Sequence, residues 1–402
     1  RQQQIVRVVV GQGDVDHRDG TAARRVAAAT PALLASLVDK SLLRRGADGR
    51  YRRHPLLLQF AEEQLSSQSA LRADAAQRHV AYFAQFLQAA APDLYGAAQA
   101  AALARIRLDM DNIRRAWQLA GEQRAFDFFE QVLDPLMFVF DIAGLSYEAC
   151  DLCGAAHAQL AAPPGADSSH ERITLARVIG LEGCFEFRVG NFARARDLTE
   201  TALEMLVAAG APPWNLGHVH TFLGGAHFGL GDLARTLKEF HCALDAYTQA
   251  DSAWGVGTAL GNIAEMHLLL GDEAVALDFA RRAQQTAEPT GNAYLLTHNA
   301  YRLAVLLANA GDYAAARRYQ EESLRYAEAL ACPAHQTMRQ QEIALAHHQH
   351  RPVRRQLTSQ GRHADRFPRS QQRRHASRAH HQYAGFAASQ PRRHQLSYRL
   401  AC

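Results

Sequence analysis

The segment HFGLGDLARTLKEFHCAL, residues 227–244, contains the pattern that decides the fold. Its Gly231-Asp232 pair separates two helix-like runs. Equivalent Gly-Asn or Gly-Asp pairs begin at three other glycines: Gly190, Gly271 and Gly311. The steps between the four glycines are 41, 40 and 40 residues. Because glycine permits the backbone of a tight turn, these nearly equal intervals predict a repeated helical hairpin with a turn at each pair.

Small residues recur at fixed distances before and after these glycines, on both predicted helices. They are Gly183, Gly224, Ala264 and Ala304 before the turns, and Ala195, Thr236, Ala276, Ala316, Ala202, Ala243, Ala283 and Ser323 after them. Small residues at such positions let two helices pack closely. The pattern resembles the tetratricopeptide repeat, although its period is ~40 rather than ~34 residues. Each helix is therefore expected to be longer by part of a turn than the helices of the usual ~34-residue repeat.

Composition limits the class of protein. Apolar residues make up 48% of the 402 residues, and no run approaches the ~18 apolar residues that span a bilayer. There is no signal segment, and the six cysteines lack the spacing of a disulfide framework, which indicates a cytoplasmic location. Cys150 and Cys153 form a CxxC in a helical run with no second ligand pair nearby, so they predict ordinary cysteines and no metal site.

The formal net charge of +4 is unevenly distributed. Residues 351–402 hold twelve Arg and one Asp, which leaves 32 basic and 39 acidic residues in 1–350. A mildly acidic folded part argues against specific nucleic-acid binding. The Arg/His-rich end predicts a disordered tail that contacts nucleic acid or acidic partners, binds metal, or has no selected function. A shifted reading frame of a GC-rich gene would explain this end and also residues 1–29.

A winged helix is predicted over residues 30–66. Thr30 caps a helix that has Pro31 at its first position. Strands are predicted at Ser41–Arg45 and Arg50–Arg53, joined by a glycine-containing turn. A second helix is expected to start at His54.

Three stretches of the chain, in this order, resemble the STAND (NB-ARC-like) signal-transduction proteins. They are Leu34–Leu43 with Gly49–Leu57, then Asp109–Trp117, and then Gly144–Glu148. The first resembles the end of the regulatory ATPase module, and the last resembles the step that opens the family's repeat array. Bacterial members are typically transcriptional regulators of the LuxR, MalT or SARP type, or related sensor ATPases, in which the repeats sense an inducer or partner.

The resemblance assigns a nucleotide-sensing role to His54, because a histidine at this place in the family reaches the phosphates of bound ADP. Local hydrogen bonding at a helix N-terminus is the alternative. The chain contains no Gly-x-x-x-x-Gly-Lys-Ser/Thr phosphate loop. No cofactor is therefore expected in this chain itself, and ATP or ADP is expected only with an ATPase domain before Arg1.

The patterns predict an all-α chain, an α-α superhelical tetratricopeptide-like solenoid preceded by a small winged-helix module. Residues 1–29 are unassigned and expected to be irregular, and the winged helix occupies 30–66. Residues 67–165 are a helical linker with the first hairpins, 166–345 the repeat array, and 346–402 the tail.

A solenoid offers a concave surface for binding but carries no chemistry by itself. If the first helix of each hairpin lines that surface, counting back from the turn glycines selects ten groove residues. They are Arg177, Phe187, Arg188, His218, Phe228, Thr258, Glu265, His298, Tyr301 and Asn309. Aromatic side chains with a few charges suit a protein or peptide partner or a small inducer, and the alternative is that these positions are merely exposed.

The predicted function is a protein-protein or ligand-sensing repeat module of a signal-transducing ATPase or transcriptional regulator. The alternative is a free-standing scaffold with no nucleotide switch. No membrane partner is expected, and no catalytic motif is present in the sequence, so an enzyme is not expected.

Overall fold

The computed structural model describes residues 25–26, 29–46, 50–53, 69–161 and 168–330. The predicted nucleotide-sensing residue His54, the second helix of the winged helix and the predicted tail lie outside the described residues. The chain divides into two compact units. The first comprises 1–141 with 151–178, and the second comprises 142–150 with 179–402.

The described residues are helical apart from one short two-stranded sheet and the connections. In chain order the elements are α1 (Pro31–Asp39), β1 (Leu43–Arg45), β2 (Tyr51–Arg53), α2 (Ser69–Tyr95), α3 (Gln99–Arg107), α4 (Met110–Glu122), α5 (Phe126–Ala143), α6 (Ser146–Ala161), α7 (Ser169–Arg188), α8 (Phe192–Ala208), α9 (Pro213–Gly229), α10 (Leu233–Gln249), α11 (Ala253–Leu270), α12 (Glu273–Ala287), a 3₁₀ turn (Glu288–Thr290), α13 (Ala293–Asn309) and α14 (Tyr313–Ala329). Within these residues, no helix combines the length and apolar character that crossing a bilayer requires.

The first unit begins with a capped helix and a β-hairpin. The side chain of Thr30 accepts a hydrogen bond of 3.2 Å from the backbone N–H of Leu33, and Pro31 occupies the first turn of α1, as predicted. β1 and β2 pair antiparallel, with Leu43 opposite Arg53. β1 starts two residues later than predicted because Ser41 has a left-handed backbone with φ of +57° and belongs to the preceding turn. The complete winged helix remains a prediction.

Helix α5 provides much of the apolar interior. Its sequence is apolar on nearly every side, and this predicts burial on most sides. Its side chains that are at most 9% exposed include Phe126, Phe128, Phe129, Val132, Leu133, Leu136, Met137, Phe138, Val139, Phe140 and Ile142.

The second unit is a stack of helical hairpins, so the tetratricopeptide-like architecture predicted from the sequence is confirmed. Within the described residues its hairpins are α7/α8, of which α7 begins in the first unit, α9/α10, α11/α12 and α13/α14, and their helices have 15 to 20 residues. Each turn glycine has a left-handed backbone: Gly190, Gly231, Gly271 and Gly311 have φ of +93°, +81°, +89° and +85°.

The turns also share their hydrogen bonds. In each hairpin the residue after the glycine donates its backbone N–H to the carbonyl five residues earlier, as in Asp232 to His227 at 3.0 Å. This bond satisfies a carbonyl that the end of the first helix would otherwise leave open. Asp232 and Asp312 then cap the second helix, accepting from the N–H of Arg235 and Ala315 at 3.0 Å. At these two turns the Gly-Asp pair therefore ends one helix and caps the start of the next.

The recurring small residues lie where paired helices touch. All twelve are buried. A Cβ at Gly183 would lie 2.7 Å from Cγ2 of Thr199, and a Cβ at Gly224 would lie 2.5 Å from the ring of Phe240. These distances are too short for a methyl group. Glycine at positions 183 and 224 therefore allows α7 to approach α8 closely and α9 to approach α10 closely.

Candidate functional site

The first helices of the last two hairpins carry polar side chains along one stripe. On α11 the half-buried residues Thr258, Asn262 and Glu265 recur at helical spacing, and on α13 His298 and Arg302 do the same. Residues three or four apart on a helix share a face, so these side chains form a continuous stripe. We call this stripe, together with Arg188 at the end of α7, the groove face.

Arg302 joins the two helices of the groove face. Its Nε lies 3.1 Å from Oε2 of Glu265, and one terminal nitrogen donates to Oδ1 of Asn262 at 3.0 Å. Both side chains of the ion pair are mostly buried, with 18% of Arg302 and 21% of Glu265 exposed. A guanidinium held by two partners at such distances presents a fixed charge.

Gly261 makes room for this guanidinium. A Cβ at position 261 would lie 2.7 Å from Oδ1 of Asn299 and 2.9 Å from a terminal nitrogen of Arg302. The absence of a side chain on α11 therefore lets Arg302 lie against that helix. Because only glycine avoids a clash at position 261, the position of Arg302 depends on the backbone of α11 as well as on its polar partners.

His298 lies on the same stripe, one turn before Arg302. Burial lowers its pKa from 6.5 to about 3, and the positive charges of Arg302 and Arg188 act in the same direction. Its ring is 4.6 Å from that of Tyr294 in a T-shaped contact. At neutral pH the imidazole is therefore uncharged, with one nitrogen able to donate a hydrogen bond and the other able to accept one.

The structure brings only part of the predicted groove set together. Arg188, Glu265 and His298 belong to the groove face, and Thr258 lies one turn before Asn262 with its hydroxyl bonded to the carbonyl of Trp254 at 2.9 Å. Tyr301 is half-buried beside Arg302 in sequence, and Asn309 is exposed at the end of α13.

Four predicted residues lie elsewhere. Arg177 belongs to the first unit, where it pairs with Asp134 at 2.8 Å. Phe187 packs near Gly225, and Phe228 packs against the core around Phe240. These contacts join neighbouring hairpins, so the two phenylalanines contribute packing.

His218, the fourth of these residues, is enclosed by aromatic rings and is only 8% exposed. Its ring centroid is 4.3 Å from that of Trp214 and 5.8 Å from those of Tyr247 and Trp254. Tyr247 is fully buried, and Gly217 and Gly255 both lie against its ring. The cluster therefore forms part of the core between the second and third hairpins.

Sequence reasoning missed Asn262 and Arg302. The two positions are one 40-residue period apart, and each lies four residues after a selected groove residue, Thr258 or His298. That spacing places both residues on the predicted groove side of their helices. It is the feature of the sequence from which they could have been predicted. The ion pair with Glu265 required knowledge of which helices are neighbours.

The groove face is suited to hold an anionic group. The guanidinium of Arg302 is held in place by Glu265 and Asn262. Arg188 lies near enough to His298 for its positive charge to lower the pKa of the imidazole, and the neutral imidazole can donate a hydrogen bond. Arginine binds carboxylates with defined geometry and more strongly than a neutral donor does.

No family model and no curated protein matches the chain. Among solved structures it is similar to a STAND protein with a tetratricopeptide repeat sensor from Pyrococcus horikoshii, with 14% identity over 86% of this chain and a TM-score of 0.46. The chain spans 52% of the length of that protein.

Two further solved structures are similar over much of the chain. A Rap protein complexed with competence and sporulation factor has 12% identity, covers 66% of this chain and 80% of its own, and has a TM-score of 0.46. Aspartyl phosphate phosphatase F from Bacillus subtilis has 12% identity, covers 91% and 96%, and has a TM-score of 0.43. All three TM-scores are below 0.5, so the fold assignment depends on the helices and turns described above.

Proposed function

We propose that the second unit is a binding module whose groove face holds a segment of a partner protein or peptide. The segment would place a carboxylate, from an acidic side chain or a chain terminus, against Arg302, His298 and Arg188. The observation that carries this proposal is the fixing of Arg302 between Glu265 and Asn262. A cation held in place before binding loses little side-chain freedom when the ligand arrives, which favours affinity.

The stacked hairpins support the proposal because solenoids present long surfaces to extended ligands. The groove face combines fixed charge with aromatic side chains such as Tyr294 and Tyr301 on α13. Tyrosine contributes large contact area at low entropic cost in binding surfaces.

The experiment is a screen of the full chain against a peptide library, followed by affinity measurement on the best binder. The variant is Arg302→Gln, and we expect it to weaken binding at least tenfold, which corresponds to about 1.4 kcal/mol. Replacing the acidic group of the peptide with an amide should produce a similar loss, and the two changes together should cost less than their sum.

The matched control is Arg317→Gln. Arg317 lies on α14, is 72% exposed and pairs only locally with Glu321 among the contacts in the described residues. Arg317→Gln removes the same charge from the same hairpin as Arg302→Gln does. The peptide affinity of this control should equal that of the unmodified chain. Equal binding by Arg302→Gln and the unmodified chain would contradict the proposal, as would binding by a small anion that no peptide displaces.

We further propose that this module is the sensor of a STAND-type transcriptional regulator, with residues 30–66 as its winged helix and 166–345 as its repeat array. The support is the sequence resemblance, which includes His54. In such a protein a ligand shifts a closed-to-open equilibrium only through different affinities for the two states. A phosphate-loop segment encoded in frame before Arg1 would support this context, and nucleotide-dependent peptide affinity in the parent protein would test it.

A second candidate is a scaffold that holds partner proteins without a nucleotide switch. The stacked hairpins supply the surface that such a scaffold needs without any nucleotide. The two functions differ in one measurement, because peptide affinity of a scaffold is the same with and without ATP or ADP.

A further inference from the structure

Three side chains that bind metals in proteins meet in the second hairpin. His220 lies on α9, and Glu239 and Cys242 lie on α10. The latter two are three residues apart on a helix, so they share a face. One ligand atom from each residue lies within 4.8 Å of those of the other two. Within the described residues this is the one group of at least three His, Cys, Asp or Glu side chains that meets this criterion.

The cluster is not a chance grouping of exposed acids. The side chain of Glu239 is 11% exposed and that of His220 is 18% exposed, and Nδ1 of His220 lies 2.7 Å from Oε2 of Glu239. A carboxylate is rarely buried without a partner, since losing its hydration is costly. The imidazole supplies that partner here, and the thiol of Cys242 lies beside both.

The packing of α9 against α10 fixes the positions of the three candidate ligands. Close packing of α9 on α10 depends on Gly224, against which the ring of Phe240 lies. Phe240 follows Glu239 in sequence, so this contact fixes the turn of α10 that carries the carboxylate. Ligands on rigid helices are positioned more reproducibly than ligands on loops.

We propose that His220, Glu239 and Cys242 form a zinc site that links α9 to α10. Imidazole nitrogen, thiolate sulfur and carboxylate oxygen are the three ligand types that Zn²⁺ takes in proteins. Three protein ligands leave the fourth tetrahedral position for water. The ion would stabilise the second hairpin, because it binds both helices in the folded chain and cannot do so when they separate.

Movements of up to about an ångström are required. Sulfur lies roughly 3.6 Å from the nitrogen and oxygen ligands of a tetrahedral zinc, whereas the three ligand atoms here lie within 4.8 Å of one another. With metal–ligand bonds of about 2.0–2.1 Å, nitrogen and oxygen ligands of a tetrahedral zinc lie roughly 3.3 Å apart. The 2.7 Å between Nδ1 of His220 and Oε2 of Glu239 must therefore widen by roughly half an ångström. As the ion enters, Cys242 loses its thiol proton to solvent, and the Nδ1 proton of His220 is replaced by one on Nε2.

The test uses Co²⁺, which replaces Zn²⁺ in such sites and gives a sulfur-to-metal charge-transfer band when a thiolate binds it. Titration of the full chain with Co²⁺ should produce this band at about one ion per chain, and added Zn²⁺ should remove it. The histidines after residue 346 can bind Co²⁺ but give no thiolate band by themselves, and a band that involves Cys402 would persist in Cys242→Ser.

The variants are Cys242→Ser, which should abolish the band, and Glu239→Gln, which should lower Co²⁺ affinity at least tenfold. Cys150→Ser is the control, since Cys150 is a half-buried helical cysteine in a CxxC and should leave the band unchanged. Serine is a mild replacement for Cys242 because this cysteine is only half-buried. Circular dichroism of each variant checks that it folds. Absence of the band in the unmodified chain, or its persistence in Cys242→Ser, would overturn the proposal.

Discussion

Arg50, just before β2, and Asp109, just before α4, form a buried ion pair with their side chains each 6% exposed. A terminal nitrogen of Arg50 lies 3.0 Å from Oδ1 of Asp109 and also donates to the carbonyl of Leu108 at 2.8 Å. Asn112 donates to the same carboxylate oxygen at 2.9 Å. Arg50 and Asp109 come from two of the segments that carry the family resemblance, so the first unit brings those segments into contact.

Breaking this pair should destabilise the first unit. Asp109→Asn leaves a buried guanidinium without its charge partner, and such a loss costs about 3–5 kcal/mol. Hydrogen exchange of α2 and α4 should become roughly a hundredfold faster or more where it depends on unfolding of this unit.

Asp111→Asn serves as the comparison for Asp109→Asn. Its side chain is 84% exposed and pairs with Arg114 on the same helix. Surface pairs of this kind contribute about 0–1 kcal/mol. Equal exchange rates in the two variants would show that the Arg50–Asp109 pair does not stabilise the unit.

Two adjacent glycines of α9 should respond in opposite ways to alanine. A Cβ at Gly224 would lie 2.5 Å from the ring of Phe240, and overpacking of this kind costs about 1–3 kcal/mol. A Cβ at Gly225 would lie 3.4 Å from the ring of Phe187, an ordinary contact, while alanine improves helix propensity by up to about 1 kcal/mol.

Thermal melting of the two single variants measures this difference. Gly224→Ala should lower Tm, and Gly225→Ala should leave it unchanged or raise it. Both variants replace glycine with alanine in the same helix. The gain in helix propensity is therefore the same in both and cancels when their Tm values are compared. A lower Tm for Gly225→Ala than for Gly224→Ala would mean that the helices do not approach each other as the structure shows.

His298 should make the second unit sensitive to acid. Its pKa in the folded chain is about 3, below the ordinary value of 6.5, so the unfolded chain takes up the proton first as the pH falls. Stability is then complete above about pH 6.5 and decreases by up to about 1.4 kcal/mol per pH unit until about pH 3.

Urea unfolding at pH 7 and pH 5 measures this effect in the unmodified chain and in His298→Gln. Between these pH values the unmodified chain should lose about 2 kcal/mol more than the variant, because glutamine does not titrate. Other histidines contribute equally to both proteins. The same pH dependence in both would show that His298 remains able to take up a proton in the folded state.

The repeat could be predicted because it depends on local chemistry. The left-handed turn at Gly231 and the close packing at Gly224 need residues that sequence spacing displays directly. The equal intervals therefore predict both the positions of the turns and the places where the paired helices touch.

The site could be predicted only in part, because it depends on how successive hairpins are offset. Counting back from the turns placed His218 on the same face as His298, yet His218 is enclosed by Trp214, Tyr247 and Trp254. Local periodicity does not determine which rings fill the space between two hairpins. For the same reason, neither the Arg302–Glu265 pair nor the approach of His220 to Cys242 could be read from spacing.

The four turns at Gly190, Gly231, Gly271 and Gly311 share one backbone geometry, and the buried small residues around them are spaced alike. Each hairpin is therefore built on the same internal plan, while the side chains that fill the space between hairpins differ from one junction to the next. Duplication of forty codons would add a hairpin with a complete turn and a packed helix pair, and its outer side chains would then have to adapt to the new neighbours. The length of the solenoid can thus change by whole hairpins, while single substitutions at positions such as Arg302 change the surface that a hairpin presents.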